Sequence, residues 1–349
     1  MLMAYRTYAA LDSRFTRLGR FQPAEKALEL WWSGSGIRFS CAASSLEVDI
    51  ESHSHQQKPW MAVFADDAPV ARFPLLPGLH RYPILTGMDP DFPHEISLLR
   101  DTQPTFDEEG PVILQTLITD GKLQPAATRA QLIEFVGDSL TVGEGTVGPH
   151  AASEWRMAWM SQAYAYPAMV ADALHADRRT IALSGWGVWR SWDNDAAHRI
   201  GNIYDRLCAP TPGGDIPCPD TLPQAAAVVI NLGTNDSNAI LSAENQQDAS
   251  YEITDCAVEL MNQIRHRNPD ASIVWAYGLC GHALEAPLER AVDRLRNAGD
   301  LRVSYLSLSD CNGNLGSRQH PSHEAHRIAA EEISAHLRSV LQTTERGNA

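Results

Sequence analysis

The chain has no surplus of positive charge to offer a polyanion. Its 43 acidic residues outnumber 28 Lys and Arg, giving a formal net charge of -15, and no basic run interrupts that balance, so nucleic acid is not expected as a partner. No stretch approaches the ~20 apolar residues of a membrane span, and no membrane partner is expected either. The opening MLMAYRTYAALDSRF places Arg6 early and sustains no apolar segment, so it does not read as a secretory leader. A complete chain is then expected in the cytoplasm, and a chain from which a leader has been removed in a secreted or periplasmic setting. The six cysteines (Cys41, Cys208, Cys218, Cys256, Cys280 and Cys311) fit neither a CxxC nor a zinc-ligand spacing. Isolated buried thiols are expected, with Cys208–Cys218 and Cys280–Cys311 left open as pairings.

What remains is a long chain with ample apolar content. At 349 residues and 44% hydrophobic it exceeds the ~250–300 residues beyond which single cores stop growing, which predicts two domains. Residues 8–122 read as all-β: 36–40, 45–50, 61–65, 70–73, 78–85, 95–100 and 113–118 are short runs with partial period-two alternation and no useful helix among them. Asp66-Asp67 reads as a hairpin turn, and Pro83 argues for an edge or a bulge. Such a set predicts a β-sandwich. Trp31, Trp32 and Trp60 are either a carbohydrate face or ordinary packing. Leu123–Ala127 reads as a connector, placing the sandwich at residues 1–125 and a second domain at 126–349.

From Gln131 onward strands and helices alternate. Strands are expected at 133–136, 179–183, 227–232, 271–277 and 303–308. Helical stretches are expected within 154–174, over 252–267 and 284–298, and over 323–341 with fraying beyond. That alternation predicts a parallel sheet covered by helices on both faces. In such sheets the functional groups gather beyond the carboxyl ends of the strands. Gly137-Asp138-Ser139 follows the first strand, Ser184-Gly185-Trp186-Gly187 the second, Gly233-Thr234-Asn235-Asp236 the third, and His320-Pro321 the fifth after a loop. In IEFVGDSLTVGEG, a serine sits where a strand ends and a helix begins, its hydroxyl exposed beside free amide N–H groups. One turn can thereby supply a nucleophile and part of an oxyanion site.

These four blocks resemble those of the GDSL or SGNH hydrolase superfamily: GDSLTVGEG for the serine, SGWG for the glycine, GTND for the asparagine and HPSHEAH for the histidine. The resemblance implies Ser139 as nucleophile and His320 as base. It implies an oxyanion site made by the backbone N–H groups of Ser139 and Gly185 and the side-chain amide of Asn235. The sandwich ahead of this domain, with WSGSGI at 32–37 and Gly78-Leu79-His80, is similar to carbohydrate esterase family 2, which joins a jelly-roll domain to an SGNH domain and removes acetyl groups from sugars or plant polysaccharides of the xylan type. An acetylated oligo- or polysaccharide is then the implied partner, and no metal or organic cofactor is implied. The superfamily usually places an aspartate three residues before the histidine; here that position is Ser317. Members of the narrower family commonly lack it and hold the imidazole with a backbone carbonyl. Asp310 is a more distant substitute.

Of Trp186, Trp189 and Trp192 in the loop after the glycine block, at least one is expected in the core and Trp186 or Trp189 to line a sugar site, since indole faces stack on pyranose rings, with Arg190 and Asn194 hydrogen-bonding hydroxyls. Asp138 is expected to cap the helix it precedes, and the plainer alternative for the third block makes Asn235 an Asx-turn residue with Asp236 as its helix cap. His323 and His326 are read as the first turns of the last helix rather than as ligands. The insert 209–214 is a surface loop, either rimming the pocket or merely connecting. Two other readings stay open: a lipase, thioesterase or arylesterase using the same residues, and a non-catalytic carbohydrate-binding protein with a degenerate hydrolase domain.

Overall fold

The computed structural model describes residues 5–21, 27–105 and 110–347, with side chains as far as residue 342. Two units separate: residues 1–129 with 156–158 and 206–222, and residues 130–155 with 159–205 and 223–349.

The first unit contains, among the described residues, eleven strands: β1 (Arg6–Ala9), β2 (Thr16–Leu18), β3 (Leu28–Leu30), β4 (Gly36–Ala42), β5 (Ser45–Ser52), β6 (Trp60–Ala65), β7 (Ala68–Pro74), β8 (Gly78–Thr86), β9 (His94–Arg100), β10 (Val112–Thr119) and β11 (Lys122–Gln124). They form two antiparallel sheets, β1-β10-β5-β8 with β3 added on β10, and β11-β4-β9-β6-β7 with β2 added on β4. This is the expected jelly-roll-like sandwich. The alternation in β5 is complete: Leu46, Val48 and Ile50 are buried while Glu47, Asp49 and Glu51 are not, so a one-residue slip would turn every core side chain outward. Asp66 and Asp67 both have left-handed φ (51° and 66°), the twist that a tight β6–β7 hairpin needs. Pro83 lies on edge strand β8, at the irregularity where β5 shifts register between Leu46 and Glu47. β1, β2, β3 and β11 are too short to show a period, and β11 occupies part of what reads in the sequence as a connector. Trp31 and Trp32 are buried, Trp32 donating through Nε1 to the Leu207 carbonyl at 2.6 Å. Trp60 lies beneath the Arg72 guanidinium. These three rings are packing, not an open carbohydrate face. The insert belongs to this unit, with Gly214 seated against Trp31.

The second unit is built on a parallel sheet of β12 (Leu132–Gly137), β13 (Asp177–Ala182), β14 (Ala227–Asn231), β15 (Ser272–Tyr277) and β16 (Val303–Ser307), in the order β13-β12-β14-β15-β16. Helices α1 (Ser139–Val142), α2 (Tyr166–Ala173), α3 (Thr234–Ala239), α4 (Gln246–Arg267), α5 (Glu285–Asn297) and α6 (His323–Gly347) connect and flank it; α2 packs on α6 and α4 on α5. Pro167 opens α2, as its fixed φ favours. The preceding stretch forms only short 3₁₀ turns at Met157–Trp159 and Gln162–Tyr164. Asn245 caps α4, accepting from the N–H groups of Gln247 and Asp248. α6 continues to Gly347, past the expected fraying point; Asn348 and Ala349 lie outside the described residues.

Strand order reverses between β12 and β14, and a doubly wound sheet leaves its crevice at that switch point. Ser139 follows β12 and Asn235 follows β14, so the topology alone sets them on either side of it. Inside the sheet, Glu134 of β12 is fully buried; it accepts from Arg179 Nε at 2.5 Å and from the Tyr204 hydroxyl at 2.5 Å. All six cysteines are free thiols.

Candidate active site

Gly137 ends β12 where a side chain would collide with Thr141 and the Asn231 carbonyl. The chain then turns into α1. Asp138 is buried and its Oδ1 accepts from Leu140 N–H at 3.0 Å, the expected cap. Burial pushes its carboxyl up to about 8; the Leu140 N–H opposes this and the charges of Asp236 and Glu144 add to it. Ser139 opens the helix, so its N–H has no acceptor within it. Gly143, in the left-handed region at φ 75°, closes α1 and returns its N–H to the Ser139 carbonyl.

Asn235 stands at the start of α3. Its Nδ2 donates to the Trp186 carbonyl at 2.8 Å and contacts Asp138 Oδ2 at 3.3 Å, which ties the asparagine block to both the glycine and the serine blocks. Gly185 takes φ 84°; a Cβ there would lie 2.7 Å from Trp192 Cδ1, and its carbonyl accepts from Trp192 N–H at 2.9 Å.

Asp236 does not cap α3 as expected: the N-cap residue is Gly233, with no side-chain cap bond. Its buried carboxyl accepts from three successive backbone N–H groups, those of Val188 (3.0 Å), Trp189 (2.7 Å) and Arg190 (2.8 Å), and so fixes the loop that follows Gly185. Burial raises its pKa against the pull of those three donors.

His320 follows a kinked turn in which Arg318 (φ 54°) and Gln319 (φ 57°) both lie in the left-handed region. Its Nδ1 lies 3.0 Å from the Arg318 carbonyl oxygen. A carbonyl only accepts, so Nδ1 carries a proton, and whenever the ring is neutral Nε2 presents the lone pair. Asp310 plays no part in this; its carboxyl accepts from Asn312 N–H at 2.6 Å within its own turn. The histidine block is fastened beside the serine turn by Ser317 N–H to the Gly145 carbonyl at 3.1 Å, and a Cβ on Gly145 would stand 2.8 Å from His320 Cβ. Glu144, buried, accepts from Arg318 Nη1 at 2.6 Å and from the Ser184 hydroxyl, and its Oε2 lies 3.8 Å from His320 Nε2.

The remaining candidates divide. Trp186 is buried with its ring 5.0 Å from that of His198. Trp189 is buried, donates through Nε1 to Glu252 at 2.9 Å and lies under the Arg190 guanidinium. Arg190 Nη1 donates to the Asn194 carbonyl at 3.1 Å, and Asn194 takes φ 68° in an exposed turn. Trp192 is the exposed indole of this loop, 66% accessible. His323 Nδ1 faces the Tyr164 carbonyl, while His326 is buried and stacked on Tyr166; burial, then the charges of His320 and His323, push His326 down to about 3. Glu144, Ser184, Arg318 and the reach of Asp236 escape a reading of the sequence, because the partners of their side chains lie 40 or more residues away.

The fold and these strand-end blocks place the protein among the serine hydrolases of SGNH type. The chain belongs to the GDSL-like Lipase/Acylhydrolase family, whose model matches residues 135–339, and a second model, Carbohydrate esterase 2 N-terminal, matches residues 17–126. The Cellulase/esterase CelE of Acetivibrio thermocellus is 26% identical over 89% of this chain, which spans 37% of that protein's length. An acetylxylan esterase / glucomannan deacetylase of Cellvibrio japonicus is 24% identical over 97% of this chain and 95% of its own. Among solved structures, an acetyl xylan esterase from the rumen bacterium Butyrivibrio proteoclasticus superposes with a TM-score of 0.91 at 28% identity, covering 97% of this chain and 99% of that one.

Proposed function

We propose that the protein is a carbohydrate O-acetyl esterase that removes acetyl groups from acetylated sugars or xylan-type polysaccharides through an acyl-enzyme. Ser139 Oγ attacks the acetyl carbonyl carbon while its proton passes to His320 Nε2. The negative charge that forms on the carbonyl oxygen is received by the N–H groups of Ser139 and Gly185 and by Asn235 Nδ2, whose longer contact to Asp138 is the one given up. As the tetrahedral adduct collapses, the sugar oxygen departs with the proton from His320. Water, deprotonated by the same nitrogen, then attacks the acetyl-Ser139 ester, and as the adduct collapses the proton returns from His320 to Ser139 Oγ and acetate leaves.

The observation that carries this reading is the 3.0 Å contact between His320 Nδ1 and the Arg318 carbonyl. It supplies the orientation and tautomer that a triad aspartate would otherwise provide, at a site where position 317 is serine. The acetyl-sugar substrate is supported by the acetylxylan esterases to which the whole chain is similar. For stacking on a sugar ring, the exposed Trp192 beside Gly185 is better placed than the buried Trp186 and Trp189.

Acetate release from acetylated xylan and acetylated monosaccharides, compared with hydrolysis of 4-nitrophenyl acetate, butyrate and octanoate, tests the proposal. Acetyl esters are expected to turn over fastest, and Ser139→Ala to abolish release. Preference for octanoate would point to a lipase-like enzyme, and retention of xylan without hydrolysis to a binding protein.

A further inference from the structure

We propose that Glu144 and Arg318 form a positioning pair that takes over the work of the absent triad carboxylate: Arg318 turns its carbonyl to His320 Nδ1, and Glu144 sets a carboxylate on the opposite, Nε2 side of the ring. The proposal rests on the assignment of His320 as base.

Three observations meet here. Arg318 holds a left-handed backbone (φ 54°, ψ 33°), a conformation unfavourable for a non-glycine residue that persists only where its surroundings fix it. What fixes it are the bond from Arg318 N–H to the Ala152 carbonyl at 2.8 Å and the ion pair from its guanidinium to Glu144 Oε1 at 2.6 Å. Glu144 is itself held: only 4% of it is accessible, and its second oxygen accepts from the Ser184 hydroxyl. That same oxygen, Oε2, lies 3.8 Å from His320 Nε2, the atom that takes the serine proton. One carboxylate therefore joins the serine, glycine and histidine blocks.

The charge matters as well as the tether. While the ring is neutral, Nε2 offers a lone pair and gains nothing from the carboxylate. Once it holds the serine proton, the imidazolium is stabilised by an anion at that distance, and Arg318 on the far oxygen moderates the effect. Other titratable groups around the ring are His323 and His326 on α6, and Asp138 beyond Glu144; they are common to every variant below.

The test is the pH profile of kcat/KM for 4-nitrophenyl acetate, with kcat and KM separated. Glu144→Gln keeps the shape and removes the anion. It is expected to lower kcat about 10- to 100-fold with KM within about twofold, and to move the acid limb to lower pH. Arg318→Met leaves the anion without its counter-ion and is expected to lower kcat while moving the acid limb the other way. Glu144→Asp is expected to restore the wild-type limb and part of kcat. A purely structural ion pair would lower kcat in both variants with the limb unmoved, and that result overturns the proposal, as does wild-type kcat in Glu144→Gln. If Glu144→Gln does not fold, the limb of Arg318→Met decides alone. Ser139→Ala separates the two levels: inactive Ser139→Ala with an unmoved limb defeats only the positioning pair, whereas active Ser139→Ala defeats the dyad itself.

Discussion

Replacing Asp236 should uncouple the glycine block from the rest of the site, and the structure sets the size of the effect. Its two carboxyl oxygens accept three backbone N–H groups, Oδ1 those of Trp189 and Arg190 and Oδ2 that of Val188. Asp236→Ala leaves three amides without their acceptor in a region where Val188 and Trp189 are buried. Each such donor costs about 1–3 kcal/mol. Relief of the burial that raises the carboxyl's pKa, and entry of water beside half-buried Arg190, offset part of this, so a net loss of about 3–5 kcal/mol is expected. Asp236→Asn is milder: the amide oxygen can keep the Trp189 and Arg190 bonds, but its NH₂ then faces Val188 N–H, one bond lost and one donor opposed to a donor, about 1–3 kcal/mol. Urea denaturation at constant m-value measures the order wild type, Asp236→Asn, Asp236→Ala. Hydrolysis by folded Asp236→Asn should fall 10- to 100-fold, since the loop it releases begins next to Gly185. Asp236→Ala within 1 kcal/mol of wild type would refute the role given to those three bonds.

On the proposed mechanism Asn235→Ala removes one oxyanion donor and should cost about 2.7–4 kcal/mol of transition-state stabilisation, a 10²- to 10³-fold fall in kcat with KM little changed; a fall under tenfold would remove Asn235 from the proposed oxyanion site. Gly145→Ala puts a methyl 2.8 Å from His320 Cβ and 2.5 Å from the Ser317 carbonyl at a left-handed φ, so activity should drop about 100-fold or more while the melting temperature falls modestly; wild-type turnover would show that the histidine turn yields freely. Glu134→Ala leaves Arg179 as an uncompensated buried charge and should cost about 3–5 kcal/mol in urea unfolding, with loss under 1 kcal/mol contradicting that account. For Asp138, the folded carboxyl titrates at about 8, above its unfolded value of about 3.9. Between those values the native state binds the extra proton, so its contribution to stability falls as pH rises from about 4 to 8. The melting temperature of Asp138→Asn relative to wild type should therefore climb across that window, and a flat difference would show that the carboxyl is not protonated when folded.

The sandwich and the doubly wound sheet were legible because their signals are local. β5 alternates residue by residue, β14 and β15 are apolar apart from Asn231 and Ser272 at their ends, and Asp66-Asp67 announces its own turn. The short strands β1, β2, β3 and β11 were not legible, since three or four residues hold too few repeats to show a period and are ordered only by the sheet they join. The same division runs through the site. Ser139, Gly185, Asn235 and His320 each follow a strand and advertise themselves by chain order. The groups that aim them do not, because each works across the fold: Asp236 reaches back 46 to 48 residues to the amides it binds, and Glu144 lies 174 residues from Arg318.

That difference bears on how a missing aspartate is to be judged. Read along the chain, Ser317 in the place of a carboxylate looks like decay of a catalytic triad. In the folded unit the ring is held all the same, by a carbonyl from one residue further along and with a carboxylate drawn in from the serine block. A carbonyl can fix the tautomer of an imidazole but carries no net charge with which to favour the imidazolium, so whatever charge stabilisation the proposed base receives must come from elsewhere. Glu144 sets a buried carboxyl group within 4 Å of Nε2, which is why the position of the acid limb, rather than the size of kcat alone, separates a degenerate site from a rebuilt one.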